Sequence, residues 1–346
     1  MNLNETDYGP YLSNEVNLTP AVLDRCCVSK MVKEFKYLRA HSVAPLTTFL
    51  DYISYEYMIE NVMLLLRGTL SGRNVNELMA QCHPLGMFKE STMRIIPTFE
   101  ATPRGYSDLY ETVLVDTPVG PYFQAYLDSE SEAIGNAGEM RAILEETKIE
   151  ILKNSLLKFY IEDFFTFSES LGGETAVLMG ELLRSKADKH SISITLNSFG
   201  TPLNDPTMRE TDRKKLYPSV GNLYPAGVDL LSKVDDDAKL VSMLSVFPLY
   251  RNMFDKFLTS NSEDFSIDDE FYKNDVKELE LAFEGQCHFA VFYSYFKLKE
   301  QEIRNLVWIS ECIMQRMKSE VNKYIPIFSS ASMWRCEQTR RSAVTF

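Results

Sequence analysis

Apolar residues along this chain recur at steps of three and four, the spacing that places them on one face of an α-helix. In residues 148–171, Leu152, Leu156, Tyr160, Phe164, Phe167 and Leu171 follow at steps of four, four, four, three and four. That stripe predicts a single long helix, and Gly172-Gly173 predicts its end. Residues 49–67 read the same way through Leu50, Ile53, Tyr57, Asn61 and Leu64, closing at Gly68. Residues 303–317 continue the pattern with Ile303, Leu306, Ser310, Ile313 and Met317 and stop before Pro326. The segment SISITLNSF (191–199) alternates as a strand would, with Ile192, Ile194 and Leu196 on one side. It follows the helical stretch 179–190 without a turn residue, so the reading is continued helix. Turn-forming pieces occur at 83–86, 116–121, 200–206 and 217–227. These patterns predict an all-α protein.

Three of the long segments, 49–68, 179–200 and 292–313, share one plan: an amphipathic start, a charged cluster near the middle and a strongly apolar end. With Asn61, His190 and Asn305 as equivalents, the spacings are 129 and 115 residues, which suits three copies of a helical unit. The boundaries this suggests lie in 128–138 and at the acidic run Asp235-Asp236-Asp237, dividing the chain into units 1–128, 129–235 and 236–328. A tail, 329–346, loses all periodicity and is expected to lack fixed structure.

The charge cluster in the third copy is the sharpest local feature. Lys297, Lys299, Glu300, Glu302 and Arg304 sit between FAVFYSYF (289–296) and LVWI (306–309), with no Gly or Pro between Gly285 and Pro326. Charges inside an otherwise apolar helical run must pair internally or face a partner. Glu300 and Arg304 are four apart in the favourable order for a pair within the helix.

Composition narrows the function. With 49 Asp and Glu against 36 Lys and Arg, the net charge is −13, which argues against nucleic acid and against direct binding to an anionic lipid surface. The six cysteines form no closely spaced pair typical of a zinc ribbon and are expected to be reduced. The N-terminus lacks the apolar stretch of a signal peptide, and no apolar run reaches the roughly 18–20 residues that span a bilayer. Any membrane association is therefore expected to be peripheral and mediated by another protein. No phosphate-cradling glycine loop, zinc-hydrolase motif or nucleophile elbow is present. The acidic runs at 235–237 and 262–270 lack the glycine of a calcium loop. Cys82-His83 and Cys287-His288 are adjacent pairs whose side chains point about 100° apart on a helix, a poor arrangement for thiolate activation. The residues thus point to no catalytic, cofactor or metal site.

KLKEQEIRNLVWISECI (297–313) followed by NKYIPIF (322–328) resembles the C-terminal signature of the subunit d family of eukaryotic V-type proton ATPases. Further blocks agree in order: TDYGPYL (6–12), FLDYISYEYMIENVMLL (49–65), CHPLGMF (82–88), YETVLVDTPVGPYF (110–123), LKFYIEDFFTF (157–167), LNSFG (196–200) and LYPAG (223–227). The resemblance implies three similar helical bundles around a pseudo-threefold axis, forming a funnel. It implies a non-enzymatic part of the V0 sector with no cofactor. Such a part seats the central stalk, subunits D and F, on the ring of proteolipid c subunits, beside subunit a, and passes torque to that ring. The implied location is the cytoplasmic face of vacuolar, lysosomal and endosomal membranes and the plasma membrane of acid-secreting cells. On this reading Glu60, Asp188, Glu302 and Arg304 line the funnel wall that grips the stalk. An adaptor that kept the fold and left the pump is the alternative. The family pattern adds a helical segment before TDYGPYL, so the first unit is expected to be shortened. The second unit departs from the pattern at Lys186, Lys189 and His190, and segments 89–105 and 129–147 look longer than in relatives.

Overall fold

The computed structural model describes residues 3–87 apart from Val16, Val115, 117–131, 146–251 and 267–328. Most of the expected boundary at 128–138 and of the segment 129–147, with all of 89–105 and the tail 329–346, lies outside the described residues. The described elements are helical: α1 (Pro20–His41), α2 (Leu46–Leu70), α3 (Val75–Gln81), α4 (Gly120–Ser131), α5 (Glu146–Leu171), α6 (Gly173–Ser198), α7 (Ala226–Leu231), α8 (Asp237–Leu244), α9 (Ile267–Glu284) and α10 (Ala290–Met314). No strand occurs among the described residues, and 191–198 is the last part of α6, as its lack of a turn residue predicts, with Phe199 the extended residue that follows the helix.

The chain forms two compact bodies. The first comprises 1–47, 173–178 and 259–346, the second 48–172 and 179–258. In the first, α10 packs against α1 and α9. α1 begins where Thr19 accepts the Val22 N–H on its Oγ1 at 3.3 Å and Pro20 opens the first turn. It buries Leu23, Cys27, Met31 and Phe35, a stripe at steps of four. Phe35 meets Phe296 of α10 edge to face at 5.0 Å. α10 ends without glycine: Arg316 takes φ +58° and the Met317 N–H bonds Cys312 O at 2.8 Å, closing the helix with a left-handed residue.

In the second body, α5 buries Leu152, Leu156, Tyr160 and Phe164, the predicted stripe, and then exposes Gly172 and Gly173 at φ +68° and +57°. α2 is buried on several sides, through Phe49, Leu50, Ile53, Ile59, Val62 and Leu65. Phe164 packs on Phe49 at 5.5 Å and stacks on Tyr52 at 5.1 Å. α2 does not close at Gly68 but runs to Leu70. The glycine is there for packing: a Cβ at that position would come within 2.3 Å of a Leu78 methyl carbon of α3. Arg213 is fully buried in a π-helical turn, where its amino groups donate to the carbonyls of Leu231, Ser232 and Val234 at 2.6–3.1 Å.

Candidate functional site

The three long helices α2, α6 and α10 have 25, 26 and 25 residues, and the sixteenth residue of each is a polar group turned onto the chain ahead. In α2, Asn61 Oδ1 accepts the His83 N–H at 2.7 Å, and its Nδ2 donates to His83 O at 3.0 Å. In α10, Asn305 makes the same pair with Ile325, at 3.2 Å and 2.6 Å. In α6, Asp188 accepts the Asn222 and Leu223 N–H groups at 3.0 and 2.9 Å, and Tyr250 donates its hydroxyl at 2.6 Å.

In α2 and α10 the clamped residue directly precedes a proline, Pro84 and Pro326, whereas in α6 the clamped pair Asn222-Leu223 is followed by Tyr224-Pro225. Proline holds the residue before it in an extended conformation, which leaves that residue's backbone groups without a helical partner. A carboxamide supplies one donor and one acceptor, which answers both groups of one residue. A carboxylate supplies only acceptors, so Asp188 takes two N–H groups instead. Glycines allow the close approach. A Cβ at Gly86 would reach Tyr57 backbone at 2.3 Å, and one at Gly221 would reach Asp188 Oδ1 at 2.1 Å.

This register corrects the sequence alignment of the second copy. The residue equivalent to Asn61 and Asn305 is Asp188, two positions before His190. It also separates Asp188 from the proposed stalk-facing set. Asp188 is 1 % exposed, and its carboxylate is occupied by loop backbone and Tyr250. Burial raises its pKa, opposed by the hydrogen bonds from Tyr250, Leu223 and Asn222. Glu60 and Arg304 occupy the position just before the clamp in α2 and α10, turned about 100° away on the helix, and both are exposed. The equivalent residue of α6 is Ala187, which is buried. His190 is partly buried. Its Nε2 lies 3.3 Å from Asn154 O, and burial, with Lys186 and Lys153 nearby, pushes its pKa down to about 4. Lys186 pairs with Glu56 at 2.6 Å.

The charges of α10 are met within the chain. Lys297 pairs with Glu300 at 3.1 Å, and Lys299 with Glu302 at 2.6 Å. Glu302 also accepts the Tyr8 hydroxyl at 2.9 Å, tying the N-terminal block to a helix 294 positions later. Lys299 lies 5.4 Å from the Tyr8 ring centre and 6.0 Å from that of Tyr295. Tyr295 donates to Glu34 of α1 at 2.9 Å, and Glu34 pairs with Lys30, whose Nζ lies 5.1 Å from the Tyr8 ring centre. Burial first, then the Glu302 carboxylate, raises the Tyr8 pKa far above its ordinary value. Arg304 donates to Gln301 at 2.7 Å and lies 4.2 Å from the Tyr272 ring centre. The cluster is thus a brace joining the N-terminal block, α1 and α10 of the first body.

Of the Cys–His neighbours, Cys82-His83 serves the fold. Burial raises the Cys82 thiol to about 11, and His83 accepts the Leu85 N–H and stacks on Tyr57 at 4.3 Å. Cys287 is exposed, while His288 is buried. No cluster of potential metal ligands occurs among the described residues.

The family model of the ATP synthase (C/AC39) subunit matches residues 1–324. The chain belongs to this family. It is 42% identical over 330 residues to "V-type proton ATPase subunit d" of Dictyostelium discoideum, covering 95% of this chain and 85% of the relative. It is 43% identical over 324 residues to "V-type proton ATPase subunit d2" of Arabidopsis thaliana, covering 93% and 85%. With "V-type proton ATPase subunit d" of Saccharomyces cerevisiae it shares 35% identity over 331 residues, covering 95% and 88%. The clamp residues and the α10 brace all lie in segments inside or adjoining the C/AC39 match; Ile325 is the first residue past it. What sequence reasoning missed is the partner of each mid-helix polar residue. The available signal was an Asn or Asp within a long apolar helix, followed 20–37 residues later by an X-Pro turn.

Proposed function

We propose that this C/AC39 family member is the non-catalytic coupling subunit of a V-type proton ATPase. It seats the central stalk, subunits D and F, on the proteolipid c-ring beside subunit a, within the V0 sector, and passes rotation to proton transport. The observation that carries the reading is the threefold recurrence of the clamp at the same position of three long helices. A torque-bearing part must resist shear, and packed helices whose following loops are tied back to them deform little. The same recurrence supports three similar helical units. Relatives named as subunit d of V-type proton ATPases support the assignment to that pump. No described helix is long and apolar enough to cross a membrane. In this reading, attachment to acidic-organelle membranes runs through the c-ring on the cytoplasmic face.

Within this reading, Glu60 and Arg304 are the outward charges offered to the stalk, and Glu302 contributes through its partly exposed edge. Mixed charges across such an interface steer and register a partner more than they add affinity. The test is affinity purification of the full chain expressed in yeast lacking its own subunit d. Proteolipid c, D and F should co-purify. A folded chain recovered without any of them contradicts the proposal.

A further inference from the structure

The C-terminal end of α2 holds a half-open cavity of about 270 Å³ in the second body, and its wall runs against the charge of the chain. Arg67, Arg73 and Lys153 line it against a single carboxylate, Glu60, with Ser71 and apolar residues completing the wall, although the chain as a whole carries −13. Basic residues at a helix C-terminus are ordinarily explained as caps for its last carbonyls. Here the turn itself caps the Arg67 and Gly68 carbonyls. Ser71 donates both its N–H and its hydroxyl to Arg67 O, and the Arg73 N–H bonds Gly68 O at 3.0 Å. Among the described residues the Arg73 guanidinium donates to a neutral partner, Gln81 Oε1, at 3.2 Å. Arg67 pairs with Glu150, and a guanidinium with five N–H donors keeps others after one such pair.

We propose that this cavity binds a phosphate group, as a free monoester or diphosphate or as the headgroup of a phospholipid, held by Arg73 and Lys153 with Arg67 beside them. Arg and Lys match phosphate oxygens with charge-assisted hydrogen bonds. The volume lies just below the roughly 300–1,000 Å³ of pockets for drug-sized ligands, so it suits a phosphate or diphosphate rather than a whole nucleotide. This site is independent of stalk coupling apart from Glu60, which lines it.

The test is calorimetric titration of the full chain with inorganic pyrophosphate at low ionic strength. Saturable binding should weaken as salt rises. Lys153→Gln and Arg73→Gln should each weaken it about tenfold, while Lys153→Arg retains it and Lys158→Gln, outside the cavity, binds as wild type. Circular dichroism melts check that the variants stay folded. Flotation with phosphatidylcholine vesicles, with and without phosphatidic acid, separates the two sources. Pyrophosphate binding without flotation assigns a free phosphate, and flotation lost in Lys153→Gln assigns a headgroup. Absence of saturable pyrophosphate binding, or an equal loss in Lys158→Gln, overturns the proposal.

Discussion

Exchanging the clamp types tests the hydrogen-bond logic of the three helices most sharply. In Asn61→Asp the shape is kept but the donor facing His83 O at 3.0 Å becomes an acceptor. One hydrogen bond is lost, worth about 0.5–1.5 kcal/mol net, and leaving two buried acceptors facing each other adds about 1–3 kcal/mol. Asn61 is 2 % exposed, so water cannot relieve the contact. The expected cost is about 2–4 kcal/mol at neutral pH. At about 1.4 kcal/mol per tenfold, backbone amides of the 82–87 turn should exchange with solvent roughly 30- to 700-fold faster. Hydrogen exchange read by mass spectrometry resolves that turn from the rest of the chain. The sign with pH is also set. The new carboxyl favours its protonated form in the fold, because the O–H can donate to His83 O, so its folded pKa is raised. Stability is present below the unfolded carboxyl value and is lost as pH rises through the raised one, so protection should recover on acidification. Exchange as slow as wild type at pH 7, or a loss that acid does not reverse, would refute the clamp as described.

Other outcomes follow from the same contacts. Asp188→Asn leaves one of the Asn222 and Leu223 N–H groups without an acceptor. It should cost about 1–3 kcal/mol in urea unfolding at neutral pH. Because burial raises the Asp188 pKa, wild-type stability should fall as pH rises through that raised value, and the substitution should remove this part of the slope. His190 is held neutral, so its contribution is full above its unfolded value of about 6.5 and is lost as pH falls toward about 4. With the ring partly exposed, about 1–2 kcal/mol should disappear between pH 7 and pH 5 in wild type and not in His190→Gln. Arg213→Met removes the donor of three buried carbonyls; Leu231 O keeps the Val234 N–H, while those of Ser232 and Val234 are stranded, and it should cost about 3 kcal/mol by chemical denaturation. Glu302→Lys places two ammonium groups together at Lys299 and removes the acceptor of Tyr8. It should lower the melting temperature of the isolated chain, whereas Arg304→Glu, which loses its Gln301 bond and Tyr272 contact on an exposed side chain, should lower it less.

The helices were legible because burial imposes its period directly on the chain: the α5 stripe from Leu152 to Phe164 is core in the fold. α6 was legible for a negative reason, the absence of any turn residue before its strand-like end. The end of α2 was not, since Gly68 reads as a stop unless Leu78, ten residues later, is known to pack on it. The left-handed turn at Arg316 has no glycine to announce it. The clamp register was missed because its partners are backbone groups, which carry no side-chain signature. A polar residue within an apolar helix is visible, but whether Asp188 or His190 turns inward depends on a turn more than thirty residues away. For the α10 charges the sequence left two outcomes open, pairing or partner. Tyr8, 294 positions earlier, decides Glu302 largely for pairing, while Arg304 keeps an exposed face.

The proposed coupling of rotation to proton transport can be read in whole cells. The direct measurement is vacuolar acidification in Saccharomyces cerevisiae lacking its subunit d and expressing this chain, with bafilomycin-sensitive ATP hydrolysis recorded on the same membranes. The account predicts that acidification and hydrolysis return together, and that Glu60→Lys with Arg304→Glu lowers acidification more than hydrolysis. A chain that is folded and present on those membranes yet restores no acidification would contradict it.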